Sequence, residues 1–144
     1  MTGKLPSPKV FFNASVILSG LRSPTGGSAK LLHWVKSKHI AGLISDLIVD
    51  ETIRRSYKVG IKPEIAYKQI YTLFIPQPTP PQKLVDKYSQ IILDHGDAHV
   101  LAAAHATRSQ FLVSLDKKHI LVLKPKIKIF KVVSPGELIK ILSN

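Results

Sequence analysis

Apolar residues fall into two patterns along this chain. Short apolar-rich runs occur at Lys9-Val10-Phe11-Phe12, Ile40 to Ile44, Phe111 to Ser114 and Ile127 to Val133. Runs this short, rich in β-branched and aromatic residues, read as buried strands. Between them, apolar residues recur three and four apart, which is the helical period. That spacing predicts helices from Ser15 to Leu21, Ser28 to Ser37, Ser45 to about Lys58, Glu64 to Phe74 and Gln82 to Leu93. In the third of these, Leu47, Ile48 and Ile53 form the expected apolar face. Ala98 to His105 predicts a small-residue helix at the centre of the molecule, with Asp97 as its N-cap. Ser134-Pro135-Gly136-Glu137 has capping-box spacing with proline at the first helical position, and opens a terminal helix. The breaks are equally legible: Ser23-Pro24-Thr25-Gly26-Gly27 is a loop, and Pro76, Pro78, Pro80 and Pro81 make an extended connector. Strands alternating with helices give an α/β fold, a three-layer α/β/α sandwich around a mostly parallel sheet.

In such sheets ligands gather beyond the carboxyl ends of the strands. Asn13 follows the first predicted strand there, and Asp116 lies just past Phe111 to Ser114. Glu51 stands one helical turn beyond the second strand, at the edge of the buried face of its helix. Asp97 begins the helix that leads into the strand carrying Asp116. Three carboxylates and an amide meeting at one sheet edge suit a hard divalent cation, which prefers oxygen ligands. Taken singly, each acid has a plainer reading. Asp97 caps a helix, Asp116 occupies a turn, and Glu51 pairs with Arg54 or Arg55.

Composition sharpens the choice of partner. The chain has 144 residues, about one domain over 1–144 with a loose terminus at 1–7. Its 21 Lys and Arg against 9 Asp and Glu give a net charge of +12, which favours polyanions. It has no cysteine, and so neither disulfides nor a thiolate metal site. No apolar run approaches the ~20 residues that span a bilayer, and no signal pattern opens the chain, so a cytoplasmic location is expected. Arg22, Lys117 and Lys118 are the basic residues nearest the predicted site. His95 and His99 read as helix-end or surface residues, and His119 as a phosphate contact or a solvated turn. Tyr67 and Tyr71, one turn apart, suit core or edge packing better than a partner-binding stripe, although that helix is also the place to look for self-association.

Four stretches in order resemble the PIN-domain nucleases. These are Val10-Phe11-Phe12-Asn13-Ala14-Ser15-Val16-Ile17-Leu18-Ser19-Gly20-Leu21, Ser45 with Glu51 six residues later, Asp94-His95-Gly96-Asp97-Ala98-His99-Val100-Leu101-Ala102-Ala103-Ala104, and Phe111-Leu112-Val113-Ser114-Leu115-Asp116. The likeness runs from about Lys9 to Ile141. It implies a metal site at Asn13, Glu51, Asp97 and Asp116, with Ser15, Asp94 and Ser114 supporting it. It also implies Mg²⁺ or Mn²⁺ as cofactor, RNA as substrate, a homodimer and, as in many small members, an antitoxin protein as partner. The family's first acid is Asn13 here, and the Asn common two residues later is Ser15. An amide can bind a cation but brings no charge, so the formal charge of the site falls from −4 to −3. Two outcomes follow: a toxin-type ribonuclease with weakened activity, or a basic RNA-binding or partner-binding module without catalysis.

Overall fold

The computed structural model describes residues 6–92 and 94–143. Much of the expected loose terminus at 1–7 lies outside them, as does Leu93, the expected last residue of its helix. The described residues form four strands, β1 (Lys9–Phe12), β2 (Ala41–Leu43), β3 (Phe111–Val113) and β4 (Lys131–Val133). Their α-helices are α1 (Ala14–Arg22), α2 (Gly27–Lys36), α3 (Asp46–Arg55), α4 (Pro63–Leu73), α5 (Gln82–Ser89), α6 (His95–Ala106) and α7 (Pro135–Leu142). Short 3₁₀ turns follow α3 at Ser56–Val59 and β3 at Leu121–Lys126.

The sheet is parallel throughout, in the order β2-β1-β3-β4. β1 and β3 are therefore its inner strands, and their residues Val10, Phe11, Phe12, Leu112 and Val113 are completely buried. Helices cover both faces, as expected for an α/β/α sandwich. Each large apolar side chain taken from water in this way contributes roughly 1.5–3 kcal/mol. α6 packs along α5 and against β3. Its Ala98, Ala102, Ala103 and Ala104 are all buried, so the small-residue helix is central, as its composition predicts.

Several boundaries differ from the sequence reading. The last strand is only Lys131–Val133, since Ile127 to Phe130 do not pair with β3; Leu121–Lys126 forms a 3₁₀ turn before them. The third helix ends at Arg55, where the chain tightens into Ser56–Val59 and then turns through Gly60 at φ +73°. Its buried face is Ile48, Val49 and Thr52, whereas Leu47 is exposed. Leu47 points outward because the N-cap Ser45 fixes the helix phase by accepting a bond from the Ile48 amide. Tyr67 and Tyr71 are not packed in the core or at its edge. Both stand exposed on α4, in contact with ring centroids 4.6 Å apart and ring planes tilted by 41°, while Ala66 and Ile70 supply the buried face. The capping box at Ser134 is complete, with reciprocal bonds between its backbone and side chain and those of Glu137.

Candidate functional site

The order β2-β1-β3-β4 makes the chain leave β1 to one side and return on the other. The crevice between the carboxyl ends of β1 and β3 is thus the switch point of the sheet, where open α/β sheets bind ligands. Asn13 and Ser114 are the residues immediately beyond those two strands. They are joined across the crevice: Asn13 Nδ2 donates to Ser114 Oγ at 2.9 Å. The same Ser114 oxygen accepts the Asp116 backbone N–H at 3.0 Å, and Ser15 Oγ accepts the Leu115 backbone N–H at 3.2 Å. These bonds hold the β3 exit loop against the start of α1. Asn13 and Ser114 are buried, so this polar seam is fixed by its own partners.

Above the seam lies a cleft of about 240 Å³. It gathers Asn13, Ser15, Glu51, Asp94, Asp97 and Asp116, drawn from four separate stretches of chain. Four further residues line it, Arg55, Gly96, Val100 and His119. Arg55 Nη1 donates to Glu51 Oε2 at 3.0 Å, one helical turn away. Asp116 is held by a local turn, with Oδ1 accepting the His119 backbone N–H at 2.9 Å and Oδ2 lying 3.3 Å from His119 Nδ1.

Asp97 is not the N-cap of its helix. That role belongs to Asp94, whose Oδ1 accepts the Gly96 N–H at 2.7 Å. The shift frees the Asp97 carboxyl to face the cleft from the first turn of α6. Its pKa is pushed up from 3.8 to about 6. Burial is the main cause, followed by the negative charges of Asp94 and Asp116; His119 opposes them and Glu51 adds a smaller push. Like charges drawn together out of water disfavour ionisation, and a cation placed among them removes that penalty.

The other sequence candidates lie outside the cleft. Arg22, Lys117 and Lys118 are exposed and do not line it. His95 is exposed on the first turn of α6. His99 lines a neighbouring cleft of about 260 Å³ that shares Glu51, Gly96 and Val100 with the acidic one. Its Nδ1 is buried without a protein partner among the described residues.

The sequence model of the PIN domain family matches residues 9–118, which span every residue of this cleft except His119. The chain belongs to the PIN domain family. It is a nuclease-like family, and its members generally depend on divalent metals. Among solved structures, PAE2754 from Pyrobaculum aerophilum superposes with a TM-score of 0.65 at 19% identity, covering 94% of this chain and 96% of that one. At that identity the likeness concerns the fold. No curated protein matches the chain.

The donors fit a divalent cation as the PIN family implies. Asp97, Asp116 and His119 each offer a ligand atom, and these atoms lie within 4.8 Å of one another. Glu51 and Asn13 line the same cleft. Asn13 commits its side-chain amide N–H to Ser114, and its side-chain oxygen Oδ1 has no donor among the described hydrogen bonds. The sequence reading gave His119 no metal-binding role. The available signal was its place three residues after Asp116, a spacing that brings both side chains to one side of a tight turn.

Proposed function

We propose that this PIN protein is a metal-dependent endoribonuclease, a toxin component of a toxin–antitoxin pair whose activity is weakened by Asn13. The observation that carries the reading is the meeting of Glu51, Asp97 and Asp116 with Asn13 in one cleft at the sheet's switch point. Mg²⁺ or Mn²⁺ bound there would activate a water and offset charge building on the scissile phosphate. Asp97 and Asp116 would hold the ion, Glu51 and the Asn13 carbonyl would complete its surroundings, and Ser114 would orient Asn13 and the Asp116 loop. Asp94 keeps Asp97 facing inward by capping the helix itself. The net charge of +12 draws RNA towards a cleft that alone would repel it.

An RNA cleavage assay with Mn²⁺ or Mg²⁺ tests this. Slow cleavage by the chain is expected, with a gain of about tenfold or more for Asn13→Asp, an order set by the loss of one metal-centre interaction. If neither protein cleaves and neither is stabilised by millimolar Mn²⁺, the metal-dependent reading is wrong.

The neutral amide at position 13, tied into a buried hydrogen bond, favours a second reading: a PIN module that binds RNA or a protein partner without cutting. RNA binding that survives Asp97→Ala and no cleavage by Asn13→Asp would select it. We also assign self-association to α4, where Tyr67 and Tyr71 present a contacting pair of tilted rings to solvent. Sedimentation should show a dimer that Tyr67→Ser/Tyr71→Ser converts to monomer; a monomeric parent chain removes this assignment. An antitoxin would be a small acidic or DNA-binding protein encoded beside this one.

A further inference from the structure

We propose that His119 is a ligand of the cation in this chain, alongside Asp97 and Asp116, and that its nitrogen shifts the site's preference from Mg²⁺ to Mn²⁺ and Co²⁺. The inference rests on the metal-dependent reading above but makes its own claim about which atoms bind and which ion is favoured.

Three observations carry it. The ligand atoms of Asp97, Asp116 and His119 lie within 4.8 Å of one another. Ligands at roughly 2.0–2.2 Å from a common ion are at most about 4.4 Å apart, so small side-chain rotations bring all three into range. Next, the His119 ring is anchored but not committed. Its backbone N–H is held by Asp116 Oδ1, and Ile120 beside it is completely buried, so the Cα has a fixed place at the rim of the cleft. The ring itself is 57% exposed, and its one polar contact among the described residues, to Asp116 Oδ2, is 3.3 Å long. A strong charge-assisted bond would be about 2.7–2.9 Å, so little is lost when the ring turns towards an ion. Finally, Asn13 has taken one negative charge from the centre. Mg²⁺ holds its sites through hard, charged oxygens, whereas affinity for imidazole rises along the first-row cations, from Mn²⁺ at its weak end to stronger binding by Co²⁺. A centre that has exchanged a carboxylate for an amide, and has an imidazole at its rim, is weakened for Mg²⁺ more than for Mn²⁺ or Co²⁺.

Titration calorimetry with Mg²⁺, Mn²⁺ and Co²⁺ tests this on the full chain and on His119→Ala, His119→Gln and Asp97→Asn. Visible absorption of the Co²⁺ forms gives a second readout. Co²⁺ and Mn²⁺ should bind the parent chain about tenfold or more tightly than Mg²⁺. His119→Ala should lose about tenfold in Co²⁺ affinity and change the Co²⁺ spectrum, with Mg²⁺ binding nearly unaltered. His119→Gln, which keeps bulk and an oxygen donor, should narrow the gap between Co²⁺ and Mg²⁺. The exposed ring makes both substitutions compatible with folding. The proposal is overturned if His119→Ala leaves Co²⁺ affinity and spectrum intact while Asp97→Asn abolishes them; the metal-dependent reading then stands without it. Absence of binding by all three cations, in the parent and in Asn13→Asp, overturns both together.

Discussion

Asp97 carries the strongest electrostatic signature in the cleft, and its sign is unusual for an aspartate. Its pKa rises from 3.8 to about 6, so between those values the folded chain holds more protons than the unfolded one. Stability from this group is therefore greatest at low pH and is lost as pH rises through about 6. Without metal, Asp97→Asn should stabilise the fold by about 1 kcal/mol near neutral pH, a figure reduced for partial solvent screening. The gain should shrink when pH is lowered towards 4, where Asp97 is already neutral. Urea unfolding in chelator at several pH values measures this; an unchanged or lower midpoint near neutral pH would mean that the repulsion is relieved by other means. The carboxylates were legible in the sequence because each stands by a strand end or helix start. The identity of the cap was not. Asp94 and Asp97 both precede apolar helical residues, and only the bond to Gly96 decides which one is spent on the helix. His119 was illegible as a ligand for a different reason: its proximity to Asp97 arises from tertiary packing of α6 against the β3 exit loop, which no local spacing encodes.

At the scale of elements, the short strand β2 must let α2 and α4 come close to the sheet. Gly42 makes this possible. A Cβ there would lie 2.7 Å from Phe74 Cε1 and 2.7 Å from Val35 Cγ2, nearer than side chains tolerate. Both neighbours are buried, so neither can swing away. Gly42→Ala should destabilise the protein by about 1–3 kcal/mol, as overpacking typically does. Because β2 leads directly through Ser45 into α3, the substitution should also disturb the placement of Glu51. Thermal unfolding checks the first effect; a melting temperature within a degree or so of the parent would show that the sheet edge can yield. Strand and helix order was readable because short apolar runs differ in length and pattern from stretches with apolar residues three and four apart. Ends were less so. Ile127 to Val133 reads as one strand, yet only Lys131–Val133 pairs with β3; before it the Asp116 carbonyl accepts from both Ile120 and Leu121 and turns the chain.

At the scale of the whole molecule, the acidic cleft and the basic chain form opposing fields. The cleft concentrates four carboxylates at one edge, while the remaining surface carries the excess of positive charge. RNA binding should therefore weaken steeply with salt. For single strands, each phosphate contact contributes about 0.7 to the slope of log affinity against log salt. Replacing Lys117 and Lys118 together by Ala should lower that slope by about 1.4 if both reach phosphates, as their place beside Asp116 suggests. Fluorescence anisotropy between about 50 and 200 mM salt reads it directly. An unchanged slope would take both residues off the RNA path. The family match and the parallel sheet fit what hydrophobic pattern and motif order announced. The exposed Tyr67–Tyr71 pair did not announce itself, since an aromatic pair one turn apart is equally at home in a core.

The seam between β1 and β3 has an evolutionary consequence. Ser114 Oγ now accepts from the Asn13 amide and from the Asp116 backbone. An aspartate at position 13 would accept rather than donate. A hydroxyl can meet that change by rotating its proton, keeping the Asp116 bond and moving no heavy atom. Asn and Asp codons differ by one base. Loss and recovery of the fourth charge thus lie a single nucleotide apart on a scaffold that accommodates either state. A lineage under pressure from its own nuclease could disarm it without discarding the fold, and re-arm it as easily.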